Sequence, residues 1–355
     1  MTSSELGAAA DLAFDGFGGT VRMIEDVHGA IAARTPGAAV QDVVARGVYA
    51  SVRGVGALVG AGVGGAIRAA GGGPAVTASP AGRFAVGALN GLLGDRLDAD
   101  GSALAVPMGF DVTGAVTPFP VVFVHGLCES GFAWRIRAAR HGGTYASRVV
   151  DEVGRTSVFV TYNTGVGVRE NGARLSALLD DLVAEWPVPV QGLALVGHSM
   201  GGLVIRAAAQ EGGAWVERVD TTVSLGTPHR GAPLAQAAGL AVRALELAPE
   251  SRPFGAVLAG SAGIRDLVRG LDTPLIAGAQ HHAVAATVSE SPGHVVGRVV
   301  GDLLVLTASA HGIEDATLVH VGSHDHFDLL NSPALDELLR AWLARQDTTK
   351  LLSAG

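Results

Sequence analysis

The sequence predicts an α/β protein in which a mostly parallel sheet carries helices on both faces, preceded by a helical extension. Two observations lead there. From about residue 102 onward, short apolar runs of strand length alternate with longer amphipathic stretches, and the short runs are apolar throughout, as strands covered on both sides must be. Composition agrees: of 355 residues, 48% are hydrophobic and only 16% charged, so most of the chain has to be buried against something.

Residues 1–101 are rich in glycine and alanine and read as the helical N-terminal extension. "VRGVGALVGAGVGGAIR" (52–68) spaces Gly56, Gly60 and Gly64 four apart, the spacing that lets helices approach closely. Its uncharged run lies between Arg53 and Arg68 and falls short of the roughly 20 residues that a bilayer requires. The region is therefore expected to be a tightly packed helix or hairpin, with peripheral membrane contact as the alternative. "AGRFAVGALNGLLGDRLDADGS" (81–102) reads as an amphipathic helix with Phe84, Leu89, Leu92 and Leu93 near one face.

Residues 102–355 read as the main domain. Strands are expected at 103–112, 120–126, 157–163, 192–197, 281–288 and 316–322, with a further strand and a loop within 219–231. Helices are expected at 132–150, 171–186 (stopped by Pro187), 200–210 and 331–345, the last with Ser332 as N-cap and Pro333 at the first helical position. An alanine-rich insert at about 231–280 interrupts the pattern.

The net charge of −8 and the lack of a basic tract interleaved with aromatics argue against nucleic acid as a partner. Cys128 is the only cysteine, which rules out an intramolecular disulfide or a cysteine metal cluster. The first residues carry acids and lack a basic stretch leading into an apolar one, so no signal peptide is expected and cytoplasm is the default location.

"GLALVGHSMGGLVIRAAAQ" (192–210) places Ser199 between Gly197 and Gly201, after an apolar run and before a helical one. With 51 glycines, G-x-S-x-G arises by chance on the order of 0.4 times in such a chain, so the placement decides its meaning. A serine on a sharp strand-to-helix turn needs a strained backbone and no side chains two residues to either side. The turn lifts the hydroxyl to the carboxyl end of the sheet and points the next helix's N–H groups at charge developing beside it. A serine hydroxyl is a weak nucleophile and requires a base, itself oriented by a carboxylate. The late loops supply both: "HVGSHDHFDLLNSP" (320–333) offers His324 and His326, and "GRVVGDLLVLTASA" (297–310) offers Asp302.

With "VHGL" (124–127), "GHSMGG" (197–202), "SLGTPHRG" (224–231), "GD" (301–302) and "HFDLL" (326–330) in this order, the chain resembles an α/β-hydrolase of the lipase and esterase type. The wording is similar to the triacylglycerol-lipase-like and GPI-inositol-deacylase-like branch. The resemblance spans roughly residues 103–345. It implies Ser199 as nucleophile, His326 as general base and then acid, and Asp302 as the orienting carboxylate. It further implies an oxyanion hole from the backbone N–H groups of Leu127 and Met200, with His125, Gly126 and His198 as substrate-binding surroundings. Within these, His125 and Gly126 shape the loop rather than react.

Several residues compete for these roles. His324 is the rival base; His326 is preferred because it directly precedes the "FDLL" run. Asp272 is the second candidate for the acid, while Asp325 and Asp328 read as loop or cap acids. The "HDH" run and His281-His282 lack a matching carboxylate pattern, so neither metal nor cofactor is expected. His229 reads as a loop residue or pocket wall, and Cys128 as a small packed residue behind the oxyanion loop.

The 231–280 insert sits where this fold carries a cap. Its small aliphatic content, with Phe254 as its only aromatic residue, implies an apolar acyl or alcohol group on a small-molecule or lipid ester. The resemblance thus implies hydrolysis of carboxylic esters through an acyl-serine intermediate. An acyltransferase with the same triad and a catalytically silent binding fold are the alternatives. Oligomeric state is not legible in the sequence.

Overall fold

A seven-stranded sheet organises the described part of the chain, in the order β1-β3-β2-β4-β5-β6-β7. The strands are β1 (Gly109–Thr113), β2 (Pro120–Val124), β3 (Thr156–Thr161), β4 (Leu193–His198), β5 (Val219–Leu225), β6 (Gln280–Thr287) and β7 (Thr317–Gly322). Only β1 runs antiparallel to its neighbour; every other pairing is parallel. The structure is a computed structural model and describes residues 80–102, 104–232, 261–291, 301–302 and 304–344. The 52–68 stretch and most of the cap insert lie outside the described residues.

The pleat of the central strands divides two apolar layers. Along β2, Val122 and Val124 face a layer with Leu175, Leu179 and Leu182 of α2 (Val168–Glu185) and Leu203 of α3 (Met200–Glu211). Val121 and Phe123 face the opposite layer with Trp134, Tyr145, Val149 and, from α6 (Asp336–Leu343), Leu339 and Leu343. Strands buried on both sides must be apolar at every position, which is why the sheet was readable as continuous runs. The strand order also fixes where a ligand can bind. The chain leaves β2 toward β3 on one side and β4 toward β5 on the other, opening a crevice at the carboxyl ends of β2 and β4.

Three expected elements differ. The first strand covers only Gly109–Thr113, an antiparallel edge on which Phe110 and Val112 are exposed. The single helix expected at 132–150 is instead a 3-10 turn at Gly131–Arg135 and a π-helical turn at Ala146–Val150. Between them Arg137 (φ 59°), Gly142 (φ 74°) and Gly143 (φ 146°) take left-handed conformations that no α-helix continues through. At the C-terminal end Ser332 accepts from the Ala334 N–H and Pro333 opens the turn, as expected, but that turn is a short 3-10 piece, Pro333–Leu335, leading into α6.

The expected helix at 81–102 is present as α1 (Pro80–Ala99). It is seated by backbone as much as by apolar side chains. Gly87, Gly91 and Gly94 lie against the loop after β2 and the loop after β3; a Cβ on Gly91 would stand 2.9 Å from both the Cα and the N of Cys128. Asn90 fixes the exit of the helix by donating to Leu104 O and accepting from the Val106 N–H. On its other flank, Ser261 Oγ donates to Gly91 O at 2.6 Å and Asp95 accepts from the Ala262 N–H, joining α1 to α4 (Ala262–Arg269). Among the described residues no helix is long and apolar enough to cross a membrane.

Alanine in place of glycine inside a helix normally stabilises by about 1 kcal/mol. Gly91→Ala is expected to do the reverse and lower the melting temperature, because the added methyl meets main chain of the 126–132 loop that cannot rotate away. Thermal denaturation of the full chain checks the sign.

Candidate active site

The crevice is built around one turn. β4 ends at His198, Ser199 takes φ 53° and ψ −124°, and α3 begins at Met200. A non-glycine residue at positive φ is strained, and the turn persists because its surroundings leave no room for relaxation. A Cβ on Gly197 would lie 2.5 Å from Gly202 N, and one on Gly201 would collide with Val124 O and stand 2.7 Å from His125 O. Glycine at these two positions lets the start of α3 press against the end of β2. Gly126 meets the elbow from the other side, where a Cβ would sit 2.9 Å from the Ser199 Cβ. The Ser199 N–H donates to Leu225 O at 2.8 Å, anchoring the turn to β5.

Two backbone N–H groups near this turn have no protein acceptor among the described residues. Met200 is the first helical residue, whose N–H has no intrahelical acceptor. The Leu127 N–H donates to no protein acceptor among the described residues. Its loop is held by the Cys128 N–H donating to Thr164 Oγ1 at 3.1 Å and by Tyr162, whose hydroxyl donates to His125 O at 2.8 Å.

The loops after β6 and β7 bring an acid and a base together. Asp302, 1% exposed, accepts from the Leu304 and Val305 N–H groups through Oδ1 and from His326 Nδ1 through Oδ2 at 2.7 Å. A second bond, His326 N–H to Asp302 O at 2.9 Å, locks the two loops in register. His326 opens a 3-10 turn, His326–Leu329, that Asp325 and Asp328 close reciprocally as a capping box, and Arg137 pairs with both acids. Behind it Asn331 accepts from the Tyr145 N–H and donates to Trp134 O and Ile136 O. Burial alone would push the His326 imidazole down. The charge and hydrogen bond of Asp302 outweigh it, and with smaller contributions from Glu129 and Asp325 hold the ring above its ordinary value.

The Nε2 atom of His326 is buried and accepts no hydrogen bond from the protein, so the Ser199 hydroxyl does not bond it in this arrangement. The ring nevertheless lies beside the elbow, 4.8 Å between centroids from the ring of His198. Catalytic hydrogen bonds are often long or misaligned without substrate.

The rival residues are engaged elsewhere. The ring nitrogens of His324 lie 2.7 Å from Gly322 O and 2.8 Å from Ser332 Oγ, away from Asp302. Asp272 acts on the Arg206 guanidinium. His281 bonds Thr222 and Ile276 O, His282 stacks on Trp342, and His229 contacts Arg206. Among the described residues no group of histidine, cysteine and carboxylate side chains converges as metal ligands. Burial and the nearby Glu129 push the Cys128 thiol up to about 12, which keeps it protonated and unreactive.

His125 and His198, expected among the substrate-binding surroundings, are both fully buried. His125 stacks on Tyr162, and both ring nitrogens of His198 face protein oxygens. The sequence reading passed over Glu129, buried at 5% exposure, whose carboxylate accepts from the Gly126 N–H at 2.6 Å and contacts His198. Its only signal was a charged residue in a tight apolar turn.

Comparison with known proteins fits this geometry. A sequence model described as a PGAP1-like alpha/beta domain matches residues 115–243. A search of curated proteins finds no match. Among solved structures, the mature form of the Bacillus licheniformis lipase BlEst2 superposes with a TM-score of 0.50 at 21% identity, covering 67% of this chain and 98% of that one. The propeptide form of the same lipase gives the same TM-score and identity, with 54% of its chain covered. The likeness is one of fold: the chain has the α/β-hydrolase fold found in lipases and esterases.

Asn331 carries the His326 loop. Replacing its amide by a carboxylate in Asn331→Asp turns two donated bonds into oxygen facing oxygen, and is expected to cost about 3 kcal/mol of stability in denaturant titration.

Proposed function

We propose that this protein is a serine hydrolase that cleaves carboxylic esters with apolar acyl chains through an acyl-serine intermediate. The observation that supports it most is the buried Asp302–His326 pair set beside a strained serine whose turn also presents unpartnered backbone N–H groups. An apolar substrate is supported by the aliphatic 231–280 segment and by Phe327, 39% exposed, with its ring 5.8 Å from that of His326.

In this reading Ser199 Oγ attacks the ester carbonyl while His326 Nε2 takes its proton. The Leu127 and Met200 N–H groups receive the oxyanion, each lowering the barrier by about 3 kcal/mol. His326 returns the proton to the departing alkoxide and then activates water to release the acid. Asp302 keeps Nδ1 protonated throughout, so that Nε2 is the basic nitrogen, and its charge stabilises the imidazolium that forms.

Steady-state assays on a p-nitrophenyl ester series are expected to show turnover that Ser199→Ala lowers by at least about 10³-fold. Absence of turnover at every chain length, or full activity in the alanine variant, overturns the proposal. The base must be neutral to act, and its imidazole is held above the ordinary value near 6.5. The acid limb of kcat/KM is therefore expected above about pH 6.5, and Asp302→Asn is expected to move it down while lowering kcat by about 10⁴-fold.

A further inference from the structure

We propose that Glu129 is a positioning residue of this site: paired with a doubly protonated His198, its carboxylate fixes the oxyanion loop against the elbow. The proposal rests on the ester-hydrolase reading for its catalytic meaning, but its structural half stands on geometry alone.

Both ring nitrogens of His198 face acceptors. Glu129 Oε1 and Oε2 lie 3.0 and 3.2 Å from His198 Nδ1, and His198 Nε2 lies 3.2 Å from the carbonyl oxygen of His326. A carboxylate and a carbonyl can only accept. A neutral ring would leave one of its nitrogens facing an oxygen lone pair to lone pair, in a place with no solvent to substitute. The ring that satisfies both contacts is the imidazolium.

The same pairing explains the carboxylate. Burial would push Glu129 up, but the charge and hydrogen bond of His198, the Gly126 N–H and the neighbouring His125 hold it below its ordinary range, so it is ionised. Cys128 and Tyr162 also feel its charge, and neither supplies a countercharge. A lone carboxylate at this point would oppose negative charge growing on a substrate oxygen held by the Leu127 N–H. His198 cancels that field and leaves Glu129 free to do what no neutral residue here does: hold the Gly126 N–H at 2.6 Å, one residue before the proposed oxyanion donor.

The pair also reaches the base. The anions facing His326 are Asp302, Glu129 and Asp325, and the His198 imidazolium, its ring 4.8 Å away, offsets that of Glu129. Through His198 the elbow is bonded to the His326 backbone, so the serine turn, the oxyanion loop and the base loop share one buried link.

The test uses the full chain. Active sites are first counted with a fluorophosphonate probe, so that misfolded protein is excluded, and kinetics are expressed per labelled site. Glu129→Gln is expected to lower kcat at least about tenfold with KM changed by less than about threefold. Glu129→Asp, which keeps the charge on a shorter arm, should keep both ring nitrogens of His198 protonated while kcat falls. Nitrogen-15 NMR of the wild type should show both ring nitrogens of His198 protonated at neutral pH. A neutral His198 in the wild type, or a Gln variant with unchanged kcat per labelled site, overturns the proposal, and the NMR result decides should the variant not fold. If the wild type is not labelled at Ser199, it is the hydrolase reading that fails, while the spectrum still reports on the pair.

Discussion

The structure depends on a close approach: the first turn of α3 pressed onto the carboxyl end of β2, with Ser199 bent through a left-handed backbone between them. Everything that follows from the turn is a consequence of removed side chains. Gly197 and Gly201 let main chain meet main chain, Gly126 lets the loop after β2 reach the serine, and the helix start then has unpartnered N–H groups where the crevice opens. The strain at one residue is held by packing around it, since Ser199 is tied to β5 through Leu225 and Met200 is fully buried.

Around that turn the protein buries several ionisable groups, and it does so in pairs. Removing an ion from water costs several kcal/mol, whereas a unit-charge contact at hydrogen-bond distance returns about 5 kcal/mol at an effective dielectric of about 20. The two are of similar size, so a buried charge here is tolerable only with its partner and its hydrogen bonds in place. Asp302 has two backbone N–H groups and the His326 ring. Glu129 has a backbone N–H and the His198 ring. Within these two pairs the buried atom left without a partner is His326 Nε2, the atom that a proton-accepting role would require to be open.

Much of this was legible in the chain, for identifiable reasons. The parallel strands were readable because double burial forces a continuous apolar run, and α2 because Leu175, Leu179 and Leu182 repeat at helical spacing and Pro187 ends the helix. The loop pairing of Asp302 with His326 agreed with chain order and with the apolar run after His326. What failed were features set by local backbone rather than by pattern. Residues 132–150 carry enough apolar side chains for a helix, but the left-handed Arg137 and the Gly142-Gly143 pair break it into turns. Strand β1 was read too long because an edge strand obeys no strict burial rule. Glu129 was missed because nothing in a single sequence distinguishes a buried glutamate from a solvated one, and its contact with His198 because the two lie 69 residues apart in the chain.

The same reasoning changes the status of α1. In sequence it belongs to an extension ahead of the main domain, and it precedes the matched span of residues 115–243. In space its glycines bear directly on Cys128 and Glu129, while Glu129 holds Gly126 and Tyr162 holds His125 from beneath. The loop after β2, with Cys128 at φ 61°, is thus held by a helix and by a buried carboxylate. A loop that offers a backbone N–H to a reacting oxygen gains nothing from the donor unless the donor stays aimed, because reorganisation at the moment of reaction would consume the stabilisation. Rigidity there has to come from contacts on both sides. The helix at residues 80–99 supplies one of them, from ahead of the first strand.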